Sequence, residues 1–130
     1  MNSEVRKGLV IEGSAIVGLT GGLWYPTAVF QNKPIYPYAV LSSPTETRRS
    51  NTKENFDIII VRFNVFHTDV EELEALQKLF DEKFALQRLN IQMDNYNLVG
   101  ITKAYDSGVI EPEKGKFQFT QQYKVTIEHK

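Results

Sequence analysis

His67 and His129 are the only imidazoles in this chain and cysteine is absent, so the usual carriers of metal and thiol chemistry are scarce. Zinc-type sites draw such side chains from pairs a few residues apart, as in HExxH or CxxC patterns. His67 falls at a strand-to-helix junction, where a partly exposed structural residue is expected, and His129 is next to last. No metal site is therefore expected, and without Cys there is neither a disulfide framework nor a thiol nucleophile. The glycine-rich run Gly18-Leu19-Thr20-Gly21-Gly22 is followed by no GK[ST] or GxGxxG pattern, so it reads as a helix terminator and not a phosphate loop. No serine stands in a GxSxG elbow. Glu71, Glu72, Glu74, Asp81 and Glu82 crowd one segment, but as the solvated face of a helix and not as a poised acid pair. No catalytic residue and no cofactor are expected.

The residues better suited to binding are of two kinds. Arg48, Arg49 and Lys53 form the one local basic cluster away from the N-terminus. They read either as a solvated loop or as a contact for a partner's acidic patch or passing nucleic acid. Trp24, Tyr25, Tyr36 and Tyr38 gather in a Pro-rich stretch, as core-edge residues or as interface anchors. The net charge of −1 over 130 residues announces no global nucleic-acid field.

These side chains need elements to hold them. One domain over 1–130 is expected, long enough to enclose a core, with 1–33 an N-terminal helix or arm and loop and 34–130 an α+β core. The apolar stretch after Arg6 and Lys7 loosely resembles a signal peptide, but Glu12 and three glycines interrupt it, and it is too short to span a bilayer. Residues 39–42 read as a short strand. Residues 43–55 contain no apolar aliphatic side chain, which predicts a long, solvated and mobile hairpin loop. Residues 56–66 alternate, with Ile59, Val61, Phe63 and Val65 on one face and Phe56, Ile58 and Ile60 on the other, as in a central strand. Thr68-Asp69-Val70-Glu71 matches a capping box, opening a helix to about Phe84–Leu86 with Leu73, Leu76, Phe80 and Phe84 as its buried stripe. Residues 96–105 form a further strand, 106–108 a turn or bulge and 111–115 a hairpin tip. In the last strand Phe117, Phe119, Tyr123, Val125 and Ile127 share one face, broken by Gln121. The sum is an antiparallel or mixed sheet of about four strands, with one long helix and an N-terminal helix packed on one face.

The order YPYAVLS, polar loop, FDIIIVRFNVF, TDVEELEALQKLFDEKF and GKFQFTQQYKVTIEH resembles the tail terminator proteins of tailed phages and prophages, also called tail completion or head–tail joining proteins, from about residue 34 to 130. The resemblance implies a non-enzymatic homo-oligomeric ring, typically of six copies, that caps the tail tube and presents a surface to the head connector. Its partners would be further copies of itself, the tail tube protein and the connector or head-completion protein, with DNA only passing through a channel and no membrane involved. It would be made in the bacterial cytoplasm and end in the virion at the head–tail junction. The 43–55 segment matches the family's long hairpin and would make axial contacts. Two other readings stay open: a head-completion or minor capsid adaptor, and a small α+β ligand-binding domain or enzyme with a pocket between sheet and helix.

Overall fold

The computed structural model describes residues 3–25, 34–51, 54–85 and 91–130, and of residues 44–51, 54 and 55 the backbone alone. Lys53 and Leu86 lie outside the described residues. Helix α1 spans Ser3–Ser14 and buries Val5 and Leu9. Its glycines mark close packing: a β-carbon at Gly8 would lie 2.3 Å from Ile91, and one at Gly13 would lie 2.6 Å from Leu23. The short strand β1 (Leu23–Trp24) then leads, beyond the undescribed stretch, to β2 (Tyr38–Asn51) and β3 (Glu54–His67). Helix α2 (Val70–Phe80) continues into a wider, π-type turn at Asp81–Ala85. Strands β4 (Tyr96–Asp106), β5 (Ile110–Glu113) and β6 (Lys116–His129) complete the chain.

The class is α+β: a six-stranded sheet ordered β1-β2-β3-β6-β4, with β5 also paired to β6. All pairings are antiparallel except that of β1 with β2. The four strands expected are thus joined by the two-residue β1 and the four-residue β5, both too short to show alternation. Strands β4, β5 and β6 form one long hairpin, interrupted where Gly108 takes φ 68°.

Residues 43–55 differ from expectation. Of these, 43–51 and 54–55 are strand and not loop, with 52 and 53 outside the described residues: β2 runs on to Asn51, and its register continues to Asn51 opposite Glu54. A strand needs no apolar side chain of its own where its neighbour supplies both ladder partners and β-branched residues, as Ile58, Ile59 and Ile60 of β3 do. The irregularity falls between Ser42 and Thr45, where Pro44 has no N–H to donate.

The helix cap also differs. Asp69, not Thr68, is the N-cap, and its carboxylate accepts from the amides of Glu71 and Glu72 at 3.0 and 3.1 Å. An aspartate one residue nearer the helix serves as well as threonine and adds charge at the positive end of the dipole.

Both helices cover the same face of the sheet. There Val61, Phe63 and Val65 of β3, Phe119, Tyr123, Val125 and Ile127 of β6, and Ala39 and Leu41 of β2 meet Leu73, Leu76, Phe80 and Phe84. Phe63 is the hub, with ring centroids 4.6 Å from Phe84, 5.4 Å from Phe80 and 5.9 Å from Tyr123. Aromatic rings in tilted contact fill the layer between α2 and the sheet, where a ligand pocket would otherwise lie.

Candidate interaction surface

Among the described residues, neither α1 nor α2 covers the opposite face of the sheet. Register turns it into a grid. Tyr38, Phe66, Gln118 and Ile110 form the row at one end; Val40, Asn64 and Thr120 come next, then Ser42, Arg62, Gln122 and Tyr105. Towards the other end stand Ile60 with Lys124 and Thr102, Ile58 with Thr126 and Gly100, and Phe56 with Glu128 and Asn97. The middle of the face is polar and self-satisfied. Thr120 Oγ1 donates to Asn64 Oδ1 at 2.7 Å, and Arg62 Nη2 and Nε lie 3.0 and 3.1 Å from the Gln122 side-chain oxygen. The end row is aromatic: Tyr38 stacks on Phe66 with centroids 5.1 Å apart, and Tyr36 meets Tyr38 at a tilt with centroids 5.6 Å apart. Tyr36, Tyr105 and Ile110 are 40%, 51% and 44% exposed. Burial, with Tyr36 alongside and Lys116 opposing, raises the Tyr38 phenol above its ordinary value, so it remains a neutral donor.

The structure brings together only some of the candidate residues. Tyr36 and Tyr38 share the aromatic end. Trp24 is opposite Val40, on the same uncovered face, and its indole donates to the Gly21 carbonyl at 2.5 Å. Tyr25 instead lies under the Arg6 guanidinium of α1, 4.7 Å from ring centroid to carbon. Gly21 makes this crossing possible: its amide donates to Pro37 O at 2.7 Å, and a β-carbon there would lie 1.8 Å from the Ile35 oxygen. The run expected to terminate a helix does not do so, since α1 ends earlier, at Ser14; it is instead a point of backbone contact. Arg48 is opposite Asp57 and Arg49 opposite Phe56, so the register assigns the two arginines to different faces.

Three polar arrangements stand out that the sequence reading did not assemble. Gln121, fully buried, donates to Asp81 Oδ1 and Asp106 Oδ2, both at 3.1 Å, and accepts from the Tyr123 hydroxyl at 2.6 Å. Lys103 Nζ bridges the same two carboxylates at 2.7 and 2.6 Å. Burial alone would lower the Lys103 pKa, but hydrogen bonds and charge from Asp106 and Asp81 outweigh it and raise it. Burial alone would raise that of Asp106, but Lys103 and the Gly108 amide hold it below the ordinary value. The Tyr123 phenol is pushed far up by burial and by the two aspartates. This network clips the π-type turn to β4 and β6. Its one sequence signal is the glutamine that breaks the apolar face of the last strand.

The other two arrangements pair a histidine with an acid. His67 is buried, not partly exposed as expected, and its Nε2 lies 2.5 Å from Glu72 while Nδ1 has no partner. His129 Nε2 lies 3.0 Å from Asp57. Among the described residues no three His, Asp or Glu side chains gather as metal ligands would, and no helix is long and apolar enough to cross a membrane.

No protein-family model and no curated protein matches the chain. Among solved structures, it is similar to a chain in the virion of a native gene transfer agent particle. That likeness has a TM-score of 0.64 at 14% identity and covers 96% of this chain and 89% of the other. What the two share at that identity is the fold.

Proposed function

We propose that the chain is a structural component of a tailed-phage-type virion, a tail terminator that forms a homo-oligomeric ring on the head-proximal end of the tail tube. The observation that carries this reading is the likeness, over nearly the whole of both chains, to a chain of a gene transfer agent virion. The physical character of the molecule supports it. Its largest buried side chains go into a packed aromatic layer, while apolar and aromatic groups are left on the uncovered face and at its edge: Tyr36, Val99, Tyr105 and Ile110. Exposed apolar groups of this kind suit contacts with other proteins. In this reading the partners are further copies of the chain, the tube protein and the head connector or head-completion protein. DNA passes through the ring's channel, and the protein resides at the head–tail junction after synthesis in the bacterial cytoplasm.

The test is to add the purified chain to tube protein from the same genome during polymerisation. A terminator arrests growth, giving short tubes with a ring at one end by negative-stain microscopy. Tubes that grow to the same lengths with and without it, and carry no cap, would remove the terminator role. Binding to portal or connector in place of the tube would instead favour the head-completion adaptor.

A further inference from the structure

The sheet is open at both sides. Strand β1 pairs only with Ala39 and Val40, so among the described residues no strand lies beside the outer edge of β2 from Leu41 to Asn51. The outer edge of β4, Tyr96–Asp106, is open in the same way. Such an edge presents a row of backbone N–H and C=O groups that another strand can satisfy whatever its side chains. The two edges match in length, and they match in direction. The long strands β2, β3, β6 and β4 alternate antiparallel and are even in number, so β4 runs opposite to β2. Copies turned about an axis along the strands therefore bring β4 of one beside β2 of the next with the alternation unbroken. A ring needs two different, complementary surfaces on each copy, and these edges supply them.

The two faces differ as the outside and inside of a closed sheet must. Helices α1 and α2 both cover one face. The other is wet: Asn64 pairs with Thr120 and Arg62 with Gln122, followed by exposed Thr102 and Lys124 beside half-buried Ile58, Ile60 and Thr126. Its described rows set Arg62 and Lys124 against one acid, Glu128, while Glu71, Glu72, Glu74 and Glu82 stand on the helical side. That is a lining which water fills and a polyanion can pass. Barrels of about 16 strands or more enclose an aqueous channel, a size that about four copies with these long strands already reach.

We infer that the β4 edge of each copy pairs antiparallel with the β2 edge of the next, joining the sheets into one barrel with the helices outside and the uncovered face lining the lumen. The inference rests on the ring reading above and names the contact that closes the ring. Irregularities between Ser42 and Thr45 and between Lys103 and Tyr105 interrupt each edge, which confines pairing to short matched stretches and keeps free copies from pairing indiscriminately.

The test compares the full-length free chain with rings assembled on tube protein. Amide exchange across 41–51 and 96–106 should slow together by at least tenfold on assembly, while that of α2 should not change. The chain has no cysteine, so introduced thiols report cleanly. Thr102→Cys combined in turn with Ser42→Cys, Thr45→Cys or Thr47→Cys, all on one face, should cross-link neighbours into a ladder of multimers in at least one pairing. Thr102→Cys alone should not. Lys124→Cys should lose reactivity towards a polymer-linked maleimide in the ring, whereas Glu74→Cys, exposed on α2, should keep it. Rings whose edge amides exchange as fast as in the free chain, or in which no pairing cross-links, overturn the edge contact and leave the ring reading standing. Rings in which Lys124→Cys stays as reactive as Glu74→Cys overturn the lumen assignment. A chain that remains monomeric with tube protein present overturns the contact and the ring reading together.

Discussion

Gln121 occupies a position on β6 between Phe119 and Tyr123 where a leucine would continue the apolar face. Replacing it by leucine leaves the Tyr123 hydroxyl buried without its acceptor and deprives Asp81 and Asp106 of a donor. Leaving a buried polar group unpaired costs about 1–3 kcal/mol. Gln121→Leu should therefore lower stability by that amount in urea denaturation, and an unchanged midpoint would show that the network is dispensable. Phe63 and Phe119 are fully buried, so alanine at either should cost about 3–5 kcal/mol. The arginines separate by face. Arg48→Glu sets a second acid opposite Asp57 and should destabilise the hairpin, whereas Arg49→Glu, opposite Phe56, should leave the unfolding midpoint within experimental error. The faces of Ile59, Val61, Phe63 and Val65 were legible because alternation fixes them. The partners of Gln121 were not, because Asp81 and Asp106 are remote in sequence and only the packing of the turn on the sheet unites them.

At the scale of elements, the α2 stripe and the faces of β3 and β6 follow from periodicity alone. The cap was legible in kind but misplaced by a residue, since Thr68 and Asp69 are both capable caps and only geometry chooses. Asp69→Ala should cost about 1 kcal/mol and Thr68→Ala almost nothing, a difference readable in thermal unfolding. The second half of β2 escaped notice for another reason. Its strand character is borrowed from β3, and a polar edge strand carries no alternation of its own. Charged side chains and a proline on such an edge are features that discourage uncontrolled pairing with other sheets. Gly21 gives an element-level test as well. Gly21→Ala should displace the crossing with residues 35–37 and lower stability strongly, while Gly100→Ala, with nothing within 4 Å of the added carbon, should be tolerated far better.

At the scale of the whole molecule, the titrating network bounds the pH range of stability. Asp106 is held below its ordinary value of 3.8, so its contribution is complete above about pH 4 and is lost as pH falls through the folded value. Lys103 is raised above 10.5, so its contribution is complete below that and fades at higher pH. Tyr123, raised above 10.0, stays neutral while unfolded tyrosine ionises, which also removes stability above about pH 10. A stability plateau between these limits is expected, and Lys103→Met should lower it while weakening both the acid loss carried by Asp106 and the alkaline loss carried by Lys103. In the function proposed above, the chain works as one ring at the junction of tail and head. Cryo-electron microscopy of particles carrying a small fused tag on this chain tests that most directly. The account predicts one ring of density, with tag at each copy, at the head-proximal end of every tail. Particles of normal form in which the chain is absent, or is scattered along the tube or over the capsid, would contradict it.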